Sequence, residues 1–344
     1  MAKVKEKSSS GLSIIVKELL KEFGDEIVWA PDQDRAPIEV IPTKLIGINW
    51  ALARGGFPRG RVSEISGKES SGKTTIGYHI IKCVQQSGGI AAFIDVENSL
   101  DMVYMKQCGV DEKNLILLAP DYGEQALDAV ERLVEKNIDL VVVDSVAALI
   151  PKTELEGDIT DMQIGLQARL MAKSMRRLNT LLKGTKTAVI FTNQLRDTIG
   201  GFGFGPHENT PGGRALKHSA AVRISTTRTT PIKVGAATIG FITRVRILKN
   251  KVGIPGRQVE VPIVFGYGLD ERLDLVNLSV KCGFLKKRAS IYYMKNKALG
   301  NGWLQVYNRL TKSVRVMQAL DTKISAKLEK ITSGSLTAGA DDKE

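Results

Sequence analysis

Apolar residues recur at helical spacing near the N-terminus: Leu12, Ile15, Val16, Leu19, Leu20 and Phe23, with Gly24 where a helix would stop. Residues 26–29 are short and apolar, and a polar stretch containing Pro31 and Pro37 follows. A small helix and a strand-like segment ahead of the main body read as an arm, which would pack on a neighbouring subunit or on its own core. From residue 60 the pattern changes. Apolar runs at 62–65, 91–96, 140–144 and 187–192 alternate with helical stretches at 74–85, 123–135 and 162–183. Such alternation predicts an α/β fold with a mainly parallel, twisted sheet and helices on its faces. Three later runs, 220–226, 238–248 and 259–265, have no long helix between them and are expected to extend the sheet as an antiparallel edge. A smaller mixed α+β segment follows from residue 271, and the last residues are polar enough to predict a disordered tail. The expected divisions are 1–36, 37–270, 271–331 and 332–344. No internal repeat is visible.

Composition adds limits. The chain has 344 residues, 49 of them Lys or Arg and 37 Asp or Glu, for a formal net charge of +12. An excess of that size suits a polyanionic partner such as nucleic acid, and equally a solvated surface. Three scattered cysteines (Cys83, Cys108, Cys282) make no metal-ligand spacing and no disulfide framework, which fits a reducing compartment. Residues 1–10 are basic and polar, without the apolar stretch of a signal peptide, and no apolar run is long enough to cross a bilayer. A soluble, cytoplasmic protein with no membrane partner is expected.

Chemistry concentrates at Gly67–Lys68–Glu69–Ser70–Ser71–Gly72–Lys73–Thr74. This G-x-x-x-x-G-K-T run sits between a predicted strand and a predicted helix, the context in which it binds a nucleoside triphosphate. Its glycines let backbone N–H groups turn inward onto phosphate oxygens, and the helix start adds its positive dipole end. Lys73 is expected to reach the β- and γ-phosphates of ATP and the Thr74 hydroxyl to hold Mg²⁺. A carboxylate for the same ion is supplied by Asp144, which ends the apolar run Leu140–Val141–Val142–Val143. A third acid must orient the attacking water. Asp95 and Glu97 end another strand two residues apart, so both would point the same way; Glu97, nearer the end, is the favoured base.

With these residues in order, the sequence resembles the RecA-type recombinases over nearly its whole length. The P-loop run through Thr75 is close to the family's form, with Lys68 replacing a usual proline. Residues 93–97 match the strand carrying the family's catalytic glutamate, which makes Glu97 the water activator. Asp101 and Tyr104 match residues that contact and stack on adenine, and Phe265 falls with the nucleotide contacts alongside Glu69, Ser70, Ser71 and Gly72. Phe191–Thr192–Asn193–Gln194 matches the strand end whose glutamine senses the γ-phosphate. The resemblance implies a DNA-dependent ATPase that forms a helical filament on single-stranded DNA and exchanges strands with a homologous duplex. A ring-forming motor of the same fold, or a regulatory paralogue that does not hydrolyse ATP, would share part of this pattern.

Two loops would carry the DNA. One lies near residues 154–165. The other, 195–213, is rich in glycine, and a loop of that length inside a compact domain is usually functional or disordered. Arg169, Lys173 and Arg176 share one face of the helix between them. The resemblance makes Arg169 and Arg176 phosphate contacts and adds Arg196, Ile199, Gly212 and Gly213 from the second loop, where Phe202 to Asn209 departs from the family's wording. The basic cluster Lys286, Lys287, Arg288, Lys295 and Lys297 reads as a solvated face or as a site for the incoming duplex. Lys249 and Lys251 alternate at a strand end and so project together. In the family, lysines at these places reach across the subunit interface to the neighbour's ATP.

Overall fold

The structure is a computed structural model that describes residues 2–24, 38–157, 165–197, 208–209 and 211–334. It divides into two units, Met1–Ile38 and Glu39–Glu344. In the first, a 22-residue helix spans Ala2–Phe23 and ends as its pattern predicts: Gly24 takes φ 76°, and its N–H donates to the Leu20 carbonyl at 2.9 Å. The strand-like run at 26–29 lies outside the described residues.

The second unit is built on a nine-stranded sheet. Its strands are β1 (Val62–Gly67), β2 (Ala91–Asp95), β3 (Leu115–Leu118), β4 (Leu140–Asp144), β5 (Ala188–Gln194), β6 (Val222–Val234), β7 (Ala237–Asn250), β8 (Gln258–Val264) and β9 (Gly268–Leu269). They lie in the order β9-β8-β7-β6-β1-β5-β4-β2-β3. From β6 to β3 all neighbours are parallel, and β7, β8 and β9 add an antiparallel edge. The antiparallel extension is therefore present, with one correction. Its first expected strand, β6, runs parallel to β1, and the reversal begins only at β7.

The central strands are apolar on both faces because both faces are covered. Phe93, Val142 and Ile190 turn to the side occupied by Ile76, Ile80 and Ile81 of the helix Lys73–Gln86. Their neighbours Ile94, Val141, Val143 and Phe191 turn to the other, against Val130 of Gly123–Glu135 and Met171, Met175 and Leu178 of Leu166–Leu181. The period of two along each strand thus divides its residues between two cores. β3 was not expected from the sequence. It is a four-residue edge strand with Ile116 and Leu117 exposed, so its apolar run has neither the alternation nor the length that marks a strand.

Beyond Asp270 come the helix Glu271–Lys281, a three-stranded antiparallel sheet (Leu285–Arg288, Ile291–Met294, Lys297–Asn301) and the helices Trp303–Thr311 and Val314–Gly334. Leu275, Val276, Leu285, Val306, Leu310 and Ile324 form a separate core there. Asp270 starts this segment by accepting from the N–H groups of Arg272 and Leu273 at 2.9 and 3.0 Å. No helix among the described residues is long and apolar enough to cross a membrane.

Candidate functional site

β1 ends at Gly67 and the next helix begins at Lys73, so residues 68–72 form the turn between them. Two positions require glycine. Gly72 has φ 93°, and a Cβ there would run into the Ile263 side chain of β8; at Gly67 a Cβ would strike the backbone and hydroxyl of Thr226. The turn is also held from β6 and β7. Ser71 Oγ and Thr226 Oγ1 share a hydrogen bond of 2.7 Å, and Thr243 Oγ1 donates to the Ser71 carbonyl at 3.0 Å. Lys73 is buried, with its ammonium donating to the Lys68 carbonyl at 2.9 Å. Burial pulls its pKa down, while Asp144, Glu97 and Glu69 pull it back up.

Asp144 lies at the end of β4 facing the start of the helix. Its Oδ2 accepts from Thr74 Oγ1 at 2.5 Å and its Oδ1 from Thr192 Oγ1 at 2.5 Å. Burial raises the Asp144 pKa, against the two hydroxyl donors that stabilise its charge. Thr74 and Asp144 together present a hydroxyl and a carboxylate oxygen. Hard oxygen donors of this number suit Mg²⁺, which keeps most of its shell as water and phosphate.

The two candidate bases separate. β2 ends at Asp95, whose buried carboxylate accepts from the N–H groups of Ser99 and Leu100 at 3.3 and 3.0 Å and so closes the following turn. Glu97 lies past the end of the strand, so the expected strand geometry does not apply to it. Its Oε1 accepts from Gln194 Nε2 at 3.0 Å and from the Ser145 hydroxyl. Gln194 ends β5 and Ser145 follows β4, so sheet register brings all three together.

The P-loop opens into a cleft of about 450 Å³. Ser70, Lys73, Thr74, Thr75, Tyr104, Phe265 and Gly266 line it. Tyr104 and Thr75 share a hydrogen bond of 2.9 Å, and burial pushes the Tyr104 phenol up to about 12. Asp101 caps the helix Met102–Gln107, accepting from the N–H groups of Val103 and Tyr104, and so fixes where Tyr104 stands. Phe265 is exposed, with its ring 6.0 Å from that of Phe241. Phe241 and Arg228 also line this cleft, the guanidinium 4.5 Å from the ring centre, and neither was expected from the sequence. The signal was there only in part: Arg228 lies two residues from Thr226, hence on the face that meets Ser71.

Lys249 and Lys251 stand elsewhere. Lys249 Nζ donates to the carbonyls of Lys217 and His218 at 2.7 and 2.9 Å, and Lys251 Nζ to that of His218 at 3.4 Å, near the end of the helix Gly213–Ser219. Burial lowers the Lys249 pKa, helped by Lys251 and Arg223. Nearby, Lys217, Arg223, Arg244 and Arg246 line a second cleft of about 420 Å³.

Arg169, Lys173 and Arg176 are all exposed on Leu166–Leu181. The second loop opens with the strand Arg196–Asp197, paired antiparallel with Glu208–Asn209. Ile199 lies outside the described residues, as do 158–164 of the first loop. Gly212 and Gly213 have φ 82° and 71° and begin the helix Gly213–Ser219. A Cβ on Gly212 would come within 2.7 Å of Val146, which follows the Asp144 strand.

A P-loop at a parallel strand end, an acid on the next strand but one and a second acid bonded to the end of the strand between them define an ATPase of the P-loop class. Residues 10–270 match the family described as the RecA N-terminal domain. Protein RecA of Thermus aquaticus is 41% identical over 344 residues, which cover 99% of this chain and 100% of that protein. Protein RecA of Tropheryma whipplei (strain Twist) is 46% identical over 315 residues, 91% and 72% of the two chains, and that of Mycobacteroides abscessus is 43% identical over 319 residues, 92% of each. The chain belongs to the RecA family. It is a DNA-dependent ATPase and recombinase that uses ATP with Mg²⁺, binds single- and double-stranded DNA and assembles into filaments.

Proposed function

We propose that ATP lies along the 450 Å³ cleft and is hydrolysed only when a neighbouring subunit and DNA are both in place. The triphosphate rests on the N–H groups of residues 67–75, with Gly67, Glu69, Ser70, Ser71, Gly72 and Thr75 shaping the turn. Lys73 leaves the Lys68 carbonyl for the β- and γ-phosphates, and adenine lies among Asp101, Tyr104 and Phe265. Thr74 and Asp144 are the residues that would hold Mg²⁺, which supplies charge neutralisation between the phosphates. Glu97 takes the proton of the attacking water. Lys249 and Lys251 act on the ATP of the adjacent subunit, where added positive charge stabilises the transition state. Arg169, Arg176, Arg196, Ile199, Gly212 and Gly213 contact DNA.

The observation that carries this reading is the Gln194–Glu97 hydrogen bond. Gln194 is the last residue of β5, and the second loop leaves one residue later. A residue that touches both the base and the loop is suited to report DNA to the active site. We further assign residues 1–36 to an oligomerisation arm, 37–270 to the ATPase core, 271–331 to a small C-terminal domain and 332–344 to a tail. A cytoplasmic location fits three buried, unpaired cysteine thiols. The test is phosphate release with and without single-stranded DNA, followed by electron microscopy. No stimulation, or closed rings in place of filaments, would overturn the reading.

A further inference from the structure

Glu64 stands in the middle of β1 and is fully buried, an unfavourable place for a carboxylate unless its oxygens are occupied. Both are. Oε2 accepts from Nε of Arg223, its register neighbour on β6, and Oε1 accepts from Nδ2 of Asn193 on β5 at 3.0 Å. The same Asn193 amide nitrogen donates to the Pro211 carbonyl at 3.2 Å. Pro211 immediately precedes Gly212 and Gly213, where the second loop ends and its helix begins. Asn193 is itself buried and adjoins Gln194. One buried carboxylate is therefore joined, through one side-chain amide, to the exit of the second loop. The following residue touches the proposed base.

Stability does not call for this arrangement, because a buried ion pair can often be replaced by apolar residues without loss. Its chemistry is that of a fixed link. In a buried site, each hydrogen bond is stronger and its loss costs more than at the surface.

We propose that Glu64 and Asn193 are positioning residues that clamp the exit of the second loop to the end of β5, so that displacement of the loop by DNA reaches Gln194 and Glu97. The clamp rests on the reading of the cleft as a DNA-stimulated ATPase site. Displacement of Pro211 pulls on Asn193, and Gln194 moves with it because the two share a backbone.

Asn193→Leu removes both donated bonds and leaves the Glu64–Arg223 pair intact. Glu64→Gln removes the charge and keeps an oxygen for Asn193. In Asn193→Leu, stimulation of phosphate release by single-stranded DNA falls about tenfold, while affinity for a fluorescent ATP analogue stays within about twofold. Glu64→Gln keeps most of the stimulation. Hydrogen exchange of residues 212–219, measured without DNA or nucleotide, quickens in Asn193→Leu. Should the leucine variant misfold, Asn193→Ser, too short to span Glu64 and Pro211, shows the same two losses. Retained stimulation in the Asn193 variants, loss of nucleotide affinity with it, or an equal loss in Glu64→Gln overturns the proposal. If DNA fails to stimulate the unaltered protein, the ATPase reading falls. The exchange measurement still decides the clamp, and unchanged protection in the Asn193 variants refutes it.

Discussion

Gln194 Nε2 donates to Glu97 Oε1 at 3.0 Å, although Gln194 ends β5 and Glu97 follows β2, strands separated in the sheet by β4. Glu97 can meet Gln194 because it stands past the end of β2, where the chain turns over the edge of the sheet. The carboxylate is held in one orientation by an amide and by the Ser145 hydroxyl. That orientation suits the role of base proposed for Glu97.

Glu97→Ala is accordingly expected to bind ATP and DNA while hydrolysis falls by about a hundredfold or more. Filaments formed with ATP should persist, because the reaction that releases them is blocked. Phosphate release and filament lifetime measured together check this; normal disassembly would remove Glu97 from the role of base.

Lys73→Arg tests the phosphate contact. Lys73 is buried, and a guanidinium is larger and flatter than an ammonium. Nucleotide binding should survive with turnover nearly abolished, as read by binding of a fluorescent ATP analogue alongside phosphate release. An unchanged rate would contradict the assignment.

The places of the P-loop and of Asp144 at strand ends were legible in the sequence, for a physical reason. A P-loop must carry its own glycines and lysine in one short run, and Asp144 follows four apolar residues that only a buried strand accepts. Between Asp95 and Glu97 the sequence favours Glu97 only as the one nearer the strand's end, and how the two divide depends on where β2 stops. Arg228 and Phe241 were hidden more deeply. They reach the P-loop cleft through the pairing of β6 with β7, and no local pattern encodes which strands pair. β3 escaped notice because an exposed edge strand need not alternate.

Gly212→Ala should separate DNA binding from nucleotide binding. The position has φ 82°, and the added methyl meets Val146 at 2.7 Å, so strain of about 1–3 kcal/mol is expected at the start of the helix Gly213–Ser219. Single-stranded DNA affinity should weaken severalfold with ATP affinity unchanged. Fluorescence anisotropy with labelled oligonucleotide, beside nucleotide binding, distinguishes the two.

Asp274 predicts a pH dependence of stability. It is fully buried between the helix Glu271–Lys281 and Gly47, whose N–H it accepts at 3.4 Å, and burial raises its pKa to about 7. Lys281 opposes that rise, while Asp270 and Glu271 add to it. An unfolded aspartate titrates near 4, so between about pH 4 and pH 7 the folded state holds a proton that the unfolded state has released. This group's contribution to stability therefore falls as pH rises through that window and levels off above it. Asp274→Asn should flatten the dependence and raise the melting temperature at pH 8 relative to the unaltered protein. Melting curves from pH 5 to pH 8 check the sign.

The lysine pair gives the sharpest test of a shared active site. Lys249 and Lys251 rest on carbonyls near the end of Gly213–Ser219, whereas Lys73 stands in the P-loop. If the pair serves a neighbour's ATP, a Lys73→Arg subunit has a dead cleft but can still activate the next one. A Lys249→Ala, Lys251→Ala subunit has a sound cleft and cannot activate its neighbour. Each variant alone should be nearly inactive. Mixed in equal amounts, they should recover activity at roughly a quarter of the interfaces, because that fraction joins a sound cleft to sound lysines when subunits assemble at random head to tail. The recovery should require DNA and vanish on dilution below the concentration at which filaments form. A mixture no more active than its parts would mean that the lysines act within their own subunit or not at all.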